Sequence, residues 1–303
     1  MSSKHLSLLL ILAAFWGGSF SFIRIAAPEF GPIPLMTVRV VIALAVLCII
    51  LQWREGFSEL FSDYKTLSLV LFSGVINQAI PFTLFAYAGL ELSASIVSVV
   101  NSATPIWTAI IAWIWFKSAL SWMQQLGLLI SFFGVVIIGS EGFLSGESTG
   151  SHILSIAAVL VATLFYGISA NFIKKTISNV SALGIATGSM IGASICLIPL
   201  SFYYWPSDSI SSNAWYSAVV LGIFCTALAY IIFFSLLKSV GPTNTVSVTY
   251  LVPIFGIFWG VVFLGETLSI FAIAGSIAVL FGVLLVTNII SLKKFTKVES
   301  ISE

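Results

Sequence analysis

Few side chains in this sequence could make or break a covalent bond. The only histidines are His5 and His152, and the cysteines, Cys48, Cys196 and Cys225, are odd in number, widely spaced and set in apolar runs. They read as small core residues, not as a disulfide or a metal-ligand set. No HExxH, CxxC, phosphate-binding loop or nucleophile elbow occurs. What is left is recognition by amides, hydroxyls, aromatic rings and two arginines inside apolar surroundings.

Those groups cluster. Asn77, Gln78, Thr83 and Tyr87 share one apolar stretch, Ser98, Asn101, Ser102 and Thr104 another, Thr226 and Tyr230 a third, and Thr245, Ser247, Thr249 and Tyr250 a fourth. Asn101 with Thr104, and Asn77 with Pro81, are three or four apart and share a helical face. Away from water such groups need partners. Their faces therefore turn either to a polar cavity or to one another as interhelical hydrogen bonds. Trp16, Trp107, Tyr166 and Phe255 fall near one depth and either wall a pocket or simply pack, in a chain with 25 Phe and 9 Trp.

Arg39 lies well inside an apolar run and Arg24 near the end of another. An intramembrane arginine is costly, so its default reading is function or tight pairing, with snorkelling to the interface as the alternative. Glu29, Glu91 and Glu266 are the available partners. No Asp or Glu falls near the middle of any apolar run, so a buried carboxylate proton relay has no candidate. The candidate substrate-binding residues are Trp16, Asn77, Tyr87, Asn101, Trp107, Tyr166, Tyr230 and Tyr250. Arg39, Pro105, Pro253 and Glu266 are candidates for gating or structure. No cofactor or metal is expected.

The elements that must position these residues are membrane helices. Charged residues make up 8% of the chain, where a soluble domain carries about 25%, and the mean hydropathy is +1.13. Net charge is +1, so nothing points to nucleic acid. Ten apolar runs are long enough to span a bilayer: 6–26, 33–52, 67–88, 94–116, 120–139, 152–172, 181–204, 214–236, 242–264 and 270–291. The first has the charge and length of a secretory signal peptide, but its counterpart inside the chain argues that it is retained.

That counterpart belongs to a repeat. An offset of 148 residues lays Gly74 on Gly222, Phe85 on Phe233, Pro105-Ile106 on Pro253-Ile254, Gly127 on Gly275 and Phe133-Gly134-Val135 on Phe281-Gly282-Val283. At an offset of 150, Phe15-Trp16-Gly17 meets Phe165-Tyr166-Gly167. The organisation expected is a first five-helix half over 1–139, a linker over 140–151, a second half over 152–292 and a cytoplasmic tail over 293–303. Lys4, Arg54, Lys65, Lys117, Lys174, Lys175, Lys238, Lys293, Lys294 and Lys297 fall on one side, which places both termini in the cytoplasm. Five helices is an odd number, so the halves are inverted, the arrangement from which many transporters build alternating gates.

Pro105 and Pro253 fall about halfway along helices 4 and 9. They should kink them and free a carbonyl, either beside a substrate cavity or merely to shape packing. Gly127, Gly134, Gly275 and Gly282 point to close helix contact.

Phe15-Trp16-Gly17-Gly18-Ser19-Phe20, Arg39 after Pro34, the paired prolines, and Phe263-Leu264-Gly265-Glu266 leading to Gly275 and Gly282 together resemble the EamA-like branch of the drug/metabolite transporter superfamily. The similarity covers about residues 6–290. It implies inner-membrane carriers that move amino acids, other metabolites or drugs, often outward, through a cavity lined by helices 1, 3, 4, 6, 8 and 9. One departure is visible: Ser118, after Lys117, stands where the second half has Glu266.

The sequence thus predicts an all-α integral membrane protein of ten transmembrane helices in two inverted five-helix repeats, with N-terminus and C-terminus inside. It would be a non-enzymatic carrier of a small molecule across the cell membrane by alternating access, with amino-acid export first among the candidates. A drug, a nucleotide sugar, a lipid-linked substrate or a non-transporting assembly role are the alternatives. Its partners are the substrate and the lipid bilayer, and no feature sets an oligomeric state.

Overall fold

The computed structural model describes residues 3–57, 63–117, 119–144, 149–246 and 248–287. Ser118, Ser247 and the tail from Lys293 lie outside them. Among the described residues every regular element is helical, and seven helices are long and apolar enough to cross a membrane. They are Ser3–Phe30, Pro32–Arg54, Tyr64–Ala88, Ala94–Phe116, Gly150–Thr176, Ala182–Tyr204 and Ser212–Gly241. Trp122–Leu144, Val248–Leu264 and Ile270–Val286 complete ten apolar spans, called spans 1 to 10 below in chain order. Residues 140–144 and 149–151, expected as linker, continue the flanking helices.

Local sequence sets where several spans begin. Asp63, Ser93, Ser181, Ser211 and Ser269 each accept backbone N–H bonds as helix N-caps, using donors the first turn leaves free. Gly241, at φ 81° and ψ 169°, turns the chain from span 8 towards span 9, a conformation in which glycine carries no Cβ penalty.

The spans pack mainly across the two halves: 5 on 10, 2 on 7, 1 on 9 and 8, and 6 on 4 and 3. Between lipid-soluble helices the attraction is close van der Waals contact, which small residues allow. In spans 5 and 10 a Cβ on Gly127 would stand 2.5 Å from the Gly282 carbonyl oxygen, and one on Gly134 would stand 2.8 Å from that of Gly275. This is the contact expected of those four glycines. Gly74 packs on the Ser189 backbone of span 7, and Gly222 on Arg39 and Ile42 of span 2. Gly17 lies on Phe255 of span 9 and Gly167 on Trp107 of span 4. Each of these pairs obeys the sequence repeat.

Two departures from regular helix matter for function. Span 4 is broken: helix Ala94–Asn101 ends, residues 102–103 turn, and a second helix runs Thr104–Phe116. Pro105 therefore starts a helix, where a missing N–H costs nothing, and does not kink one. The Asn101 carbonyl, four residues before it, accepts from the Thr104 hydroxyl at 2.8 Å. Pro253 sits inside its helix, as expected. The second departure is a pair of π-helical turns, Val75–Ala79 in span 3 and Ile223–Leu228 in span 8. They start at positions related by the same offset, directly after Gly74 and Gly222.

Candidate substrate site

Each π turn packs on the opposite half, that of span 3 on span 7 and that of span 8 on span 2, and both carry polar groups of the interior. Such turns wind one extra residue into a helix and recur at functional sites. Here they set Asn77 and Gln78 in span 3, and Cys225 and Thr226 in span 8, beside buried arginine. Arg39 is 5% exposed. Its Nε donates to Thr226 Oγ1 at 2.9 Å, its Nη1 meets the Met36 sulfur at 3.9 Å, and its guanidinium lies 3.9 Å from the Phe82 ring centroid.

No carboxylate among the described residues pairs with Arg39. Magnitudes show why it is nonetheless tolerated. Placing an arginine at mid-membrane costs about 2.5–3.5 kcal/mol on insertion scales. A hydrogen bond from a charged group returns about 1.5–3 kcal/mol, and a desolvated cation–π contact about 2 kcal/mol. Folding is thus provided for, while the positive charge itself stays unneutralised.

One turn away, the Gln78 side chain donates from Nε2 to the Tyr230 hydroxyl at 3.2 Å, and Asn77 precedes it on the same π turn. Gln78 is 1% exposed and its Oε1 accepts no hydrogen bond. The Asn101 Oδ1, at the break in span 4, is likewise buried with no donor. Buried polar atoms are normally satisfied, so each of these oxygens calls for a partner.

Aromatic pairs flank this interior in the same two-fold relation. Tyr166 lies 5.7 Å from Phe85, and Trp16 lies 5.6 Å from Phe233, centroid to centroid. By the offsets of 150 and 148, each ring of one pair is the counterpart of a ring in the other. Tyr230 stacks on Phe234 at 5.9 Å.

The expected site residues therefore divide. Asn77, Tyr230 and Arg39 come together, and Trp16 and Tyr166 occupy equivalent flanking positions. Trp107 supplies the backbone and Cβ surface on which Gly167 rests. Tyr250 lies on span 9 and is half-buried, and Tyr87 is 39% exposed near the turn after span 3; neither joins the group. Pro105 and Asn101 stand at the span 4 break.

The charged partners differ from the pairing expected. Arg24 donates from Nη1 to the carbonyls of Gly89 and Leu90 at 2.8 and 2.6 Å, closing the end of span 3. Cations are favoured there because helix C-termini present free carbonyls. Glu266 instead accepts from the Ala94 N–H at 2.6 Å, the Ser95 N–H at 3.0 Å and the Ser95 hydroxyl at 2.6 Å. A carboxylate from the second half thereby caps span 4 of the first. Gly260 makes room for it, since a Cβ there would stand 2.3 Å from Glu266 Oε2. Glu29 accepts similarly from the N–H and hydroxyl of Ser211, at the start of span 8.

Several contributors escaped sequence reasoning. Phe82 and Met36 look like any other apolar residue. Asn171 donates from Nδ2 to the Thr108 carbonyl at 3.1 Å and ties span 6 to span 4. Trp259 donates from Nε1 to the Ala14 carbonyl at 3.1 Å, between spans 9 and 1. A polar group within an apolar run was the available signal for Asn171. For the π turns the only trace was the shared register of Gly74 and Gly222.

Comparison with known proteins gives the context. The model of the EamA-like transporter family matches residues 3–140 and 153–288. An uncharacterized transporter of Archaeoglobus fulgidus is 26% identical, with 94% of this chain and 99% of the relative covered. The uncharacterized transporter YvbV of Bacillus subtilis is 25% identical over 93% of this chain and 90% of its own. One solved crystal structure aligns over 95% of this chain and 99% of its own with a TM-score of 0.67 at 14% identity, a likeness of fold.

Proposed function

The chain belongs to the EamA-like transporter family and is a multi-pass membrane transporter, and on that premise we propose that it exports a small metabolite, an amino acid first among the candidates, by alternating access. One observation carries the reading. The π turn of span 8 holds, through Thr226, an arginine that no carboxylate among the described residues neutralises, and the π turn of span 3 carries in Gln78 a buried amide oxygen that no donor among them satisfies. A ligand with a negative group and a hydrogen-bond donor completes that arrangement.

The direction of the molecule follows from its basic residues. Taking successive spans to run in alternating directions, we put Arg54, Lys65, Lys117, Lys174, Lys175 and Lys238 at the end where span 1 begins, here the terminal end, and the positive-inside tendency supports a cytoplasmic side for it. At the opposite, distal end, Glu266 joins the second half to span 4 and Arg24 joins span 1 to span 3. At the terminal end the second helix of span 4, Thr104–Phe116, buries no residue. We take this conformer as closed at the distal gate and loading from the terminal side. Rocking of the halves would then exchange the two conditions.

Efflux from proteoliposomes loaded with a mixed amino-acid and metabolite pool, read by mass spectrometry, tests the proposal. Selective loss of amino acids, abolished in a Trp16→Ala, Tyr166→Ala double variant, is the expected result. If the wild-type protein is folded and no amino acid leaves under any imposed pH gradient, the amino-acid reading is wrong.

A further inference from the structure

We infer that the interior around Arg39 and Gln78 is a zwitterion site, in which Arg39 receives the carboxylate of a free α-amino acid and Gln78 Oε1 receives its ammonium group. The inference rests on the amino-acid reading above and adds to it the atoms that read the two charges.

The geometry is a four-cornered frame. Gln78 and Phe82 are one turn apart on span 3, and Thr226 and Tyr230 are one turn apart on span 8, so each pair shares a helical face. Arg39, from span 2, bonds Thr226 and lies over Phe82. Gln78 reaches across to Tyr230. Arg39 thus stands at the Phe82–Thr226 level of the frame and Gln78 at the Gln78–Tyr230 level, on neighbouring corners. In an α-amino acid the two charged groups are separated by a single carbon. Charge-assisted hydrogen bonds of about 2.8 Å on either side let so short a ligand bridge two neighbouring corners.

The state of each corner selects the ligand class. Arg39 is 5% exposed, and its acceptors among the described residues are one hydroxyl and one thioether sulfur, the latter weak. It is suited to an anion. Gln78 is 1% exposed with Nε2 engaged and Oε1 vacant. It is suited to a donor. An organic cation would meet Arg39 with the wrong sign, and a plain carboxylic acid would leave Gln78 Oε1 unsatisfied. The corners also differ between halves in a useful way: by the repeat, Gln78 corresponds to Thr226 and Phe82 to Tyr230. The frame is built from equivalent positions carrying different chemistry, so it can hold a ligand in only one orientation.

The test uses the purified full-length chain in detergent micelles. Thermal stabilisation is measured with each of the common L-amino acids. For every one that stabilises, its carboxamide and its N-acetyl derivative follow, with sodium acetate and ammonium chloride as single-charge probes. The expected result is stabilisation by the free amino acid and at least tenfold weaker apparent affinity for both blocked forms. Arg39→Gln should erase the preference for carboxylate over carboxamide, and Gln78→Leu the preference for free ammonium over N-acetyl. The wild-type comparison alone overturns the inference if either blocked form binds as well as the free amino acid. It is overturned equally if the folded variants bind and keep both preferences. Failure of the transport reading is separate: there, no amino acid leaves the proteoliposomes while another compound does. Amino-acid efflux with unchanged preferences in the variants would remove this site and leave the transport reading standing.

Discussion

The two halves share a scaffold and differ in chemistry at the same positions. Gly74 and Gly222 open π turns at matching positions, and Tyr166–Phe85 is repeated by Trp16–Phe233. Gly74 rests on Ser189 of span 7, whereas Gly222 rests on Arg39 of span 2, so Ser189 and Arg39 occupy equivalent places. One is a serine that bonds its own helix at Ala186, the other a buried cation. A two-fold scaffold suits two gates that open alternately, while one unmatched charge gives the interior a single polarity. Symmetry is kept where helices touch and abandoned where a ligand would be read.

The largest expected effect tests the scaffold. A Cβ on Gly74 would stand 2.0 Å from the Ser189 backbone oxygen, whereas one on Gly222 meets first the Ile42 side chain at 2.7 Å. Side chains yield more readily than backbone, and overpacking of 1–3 kcal/mol or more is the usual cost. Gly74→Ala should therefore abolish or severely reduce folded protein, and Gly222→Ala should survive with a lower melting temperature. Gly150→Ala, with nothing within 4 Å, should be neutral. Yield of monodisperse protein by size-exclusion chromatography, then thermal unfolding, ranks them. Equal damage at Gly74 and Gly222 would mean that the two crossings are mechanically alike after all.

Next comes the unmatched charge. Losing an ionic hydrogen bond of about 1.5–3 kcal/mol corresponds to roughly 10–100-fold in affinity. Arg39→Leu should lower transport by that factor or more at subsaturating substrate, while Ser189→Ala changes it less than twofold. Arg39→Leu should stay folded, since a membrane interior gains by losing a charge. Loss of transport in both variants would contradict the assignment of polarity to one side.

Much of this arrangement was legible in the sequence, and the remainder fails for a physical reason. Spans, repeat and glycine crossings show because membrane helices need length, apolarity and small residues at contacts. Faces do not show, because lipid and protein neighbours are both apolar and little periodicity separates them. Phe82 could not be told from Phe132, although the first is buried under Arg39 and the second is 63% exposed. Arg39 was recognised as important, but its partner Thr226 is 187 residues away, and of the acids expected to pair with it Glu29 and Glu266 bond helix starts while Glu91 accepts from the Ser151 hydroxyl. Pro105 was assigned a kink because nothing local reveals that span 4 restarts there.

The distal clasp offers a smaller perturbation. Glu266→Gln keeps the shape of the side chain and removes its charge from the N–H groups of Ala94 and Ser95. Loss of about 1.4 kcal/mol would shift a two-state gate tenfold. The expected outcome is faster thiol labelling of a cysteine placed at Ser93, added from the distal side, in the variant than in the parent carrying Glu266. Unchanged labelling would show that this carboxylate supports helix 4 without holding the gate.

The smallest effect contrasts that clasp with a cap made within one helix. Asp63 precedes span 3 and accepts from the Thr66 hydroxyl at 2.7 Å and from the N–H groups of Thr66 and Lys65. These bonds, that of the Thr66 hydroxyl first, hold its carboxyl below the ordinary carboxylate range. A depressed carboxyl stabilises the fold above its unfolded value, near 4, and that contribution is lost as the pH falls through the lower folded value. The wild-type melting temperature should therefore exceed that of Asp63→Asn by a small, constant margin near neutrality, and the margin should close in acid. Because the hydrogen bonds of Asp63 among the described residues stay within its own helix, transport at neutral pH should be unaffected, whereas Glu266→Gln, which weakens a contact between halves, should change it. If Asp63→Asn altered transport as much as Glu266→Gln, bridging the halves would not be what distinguishes the distal carboxylate.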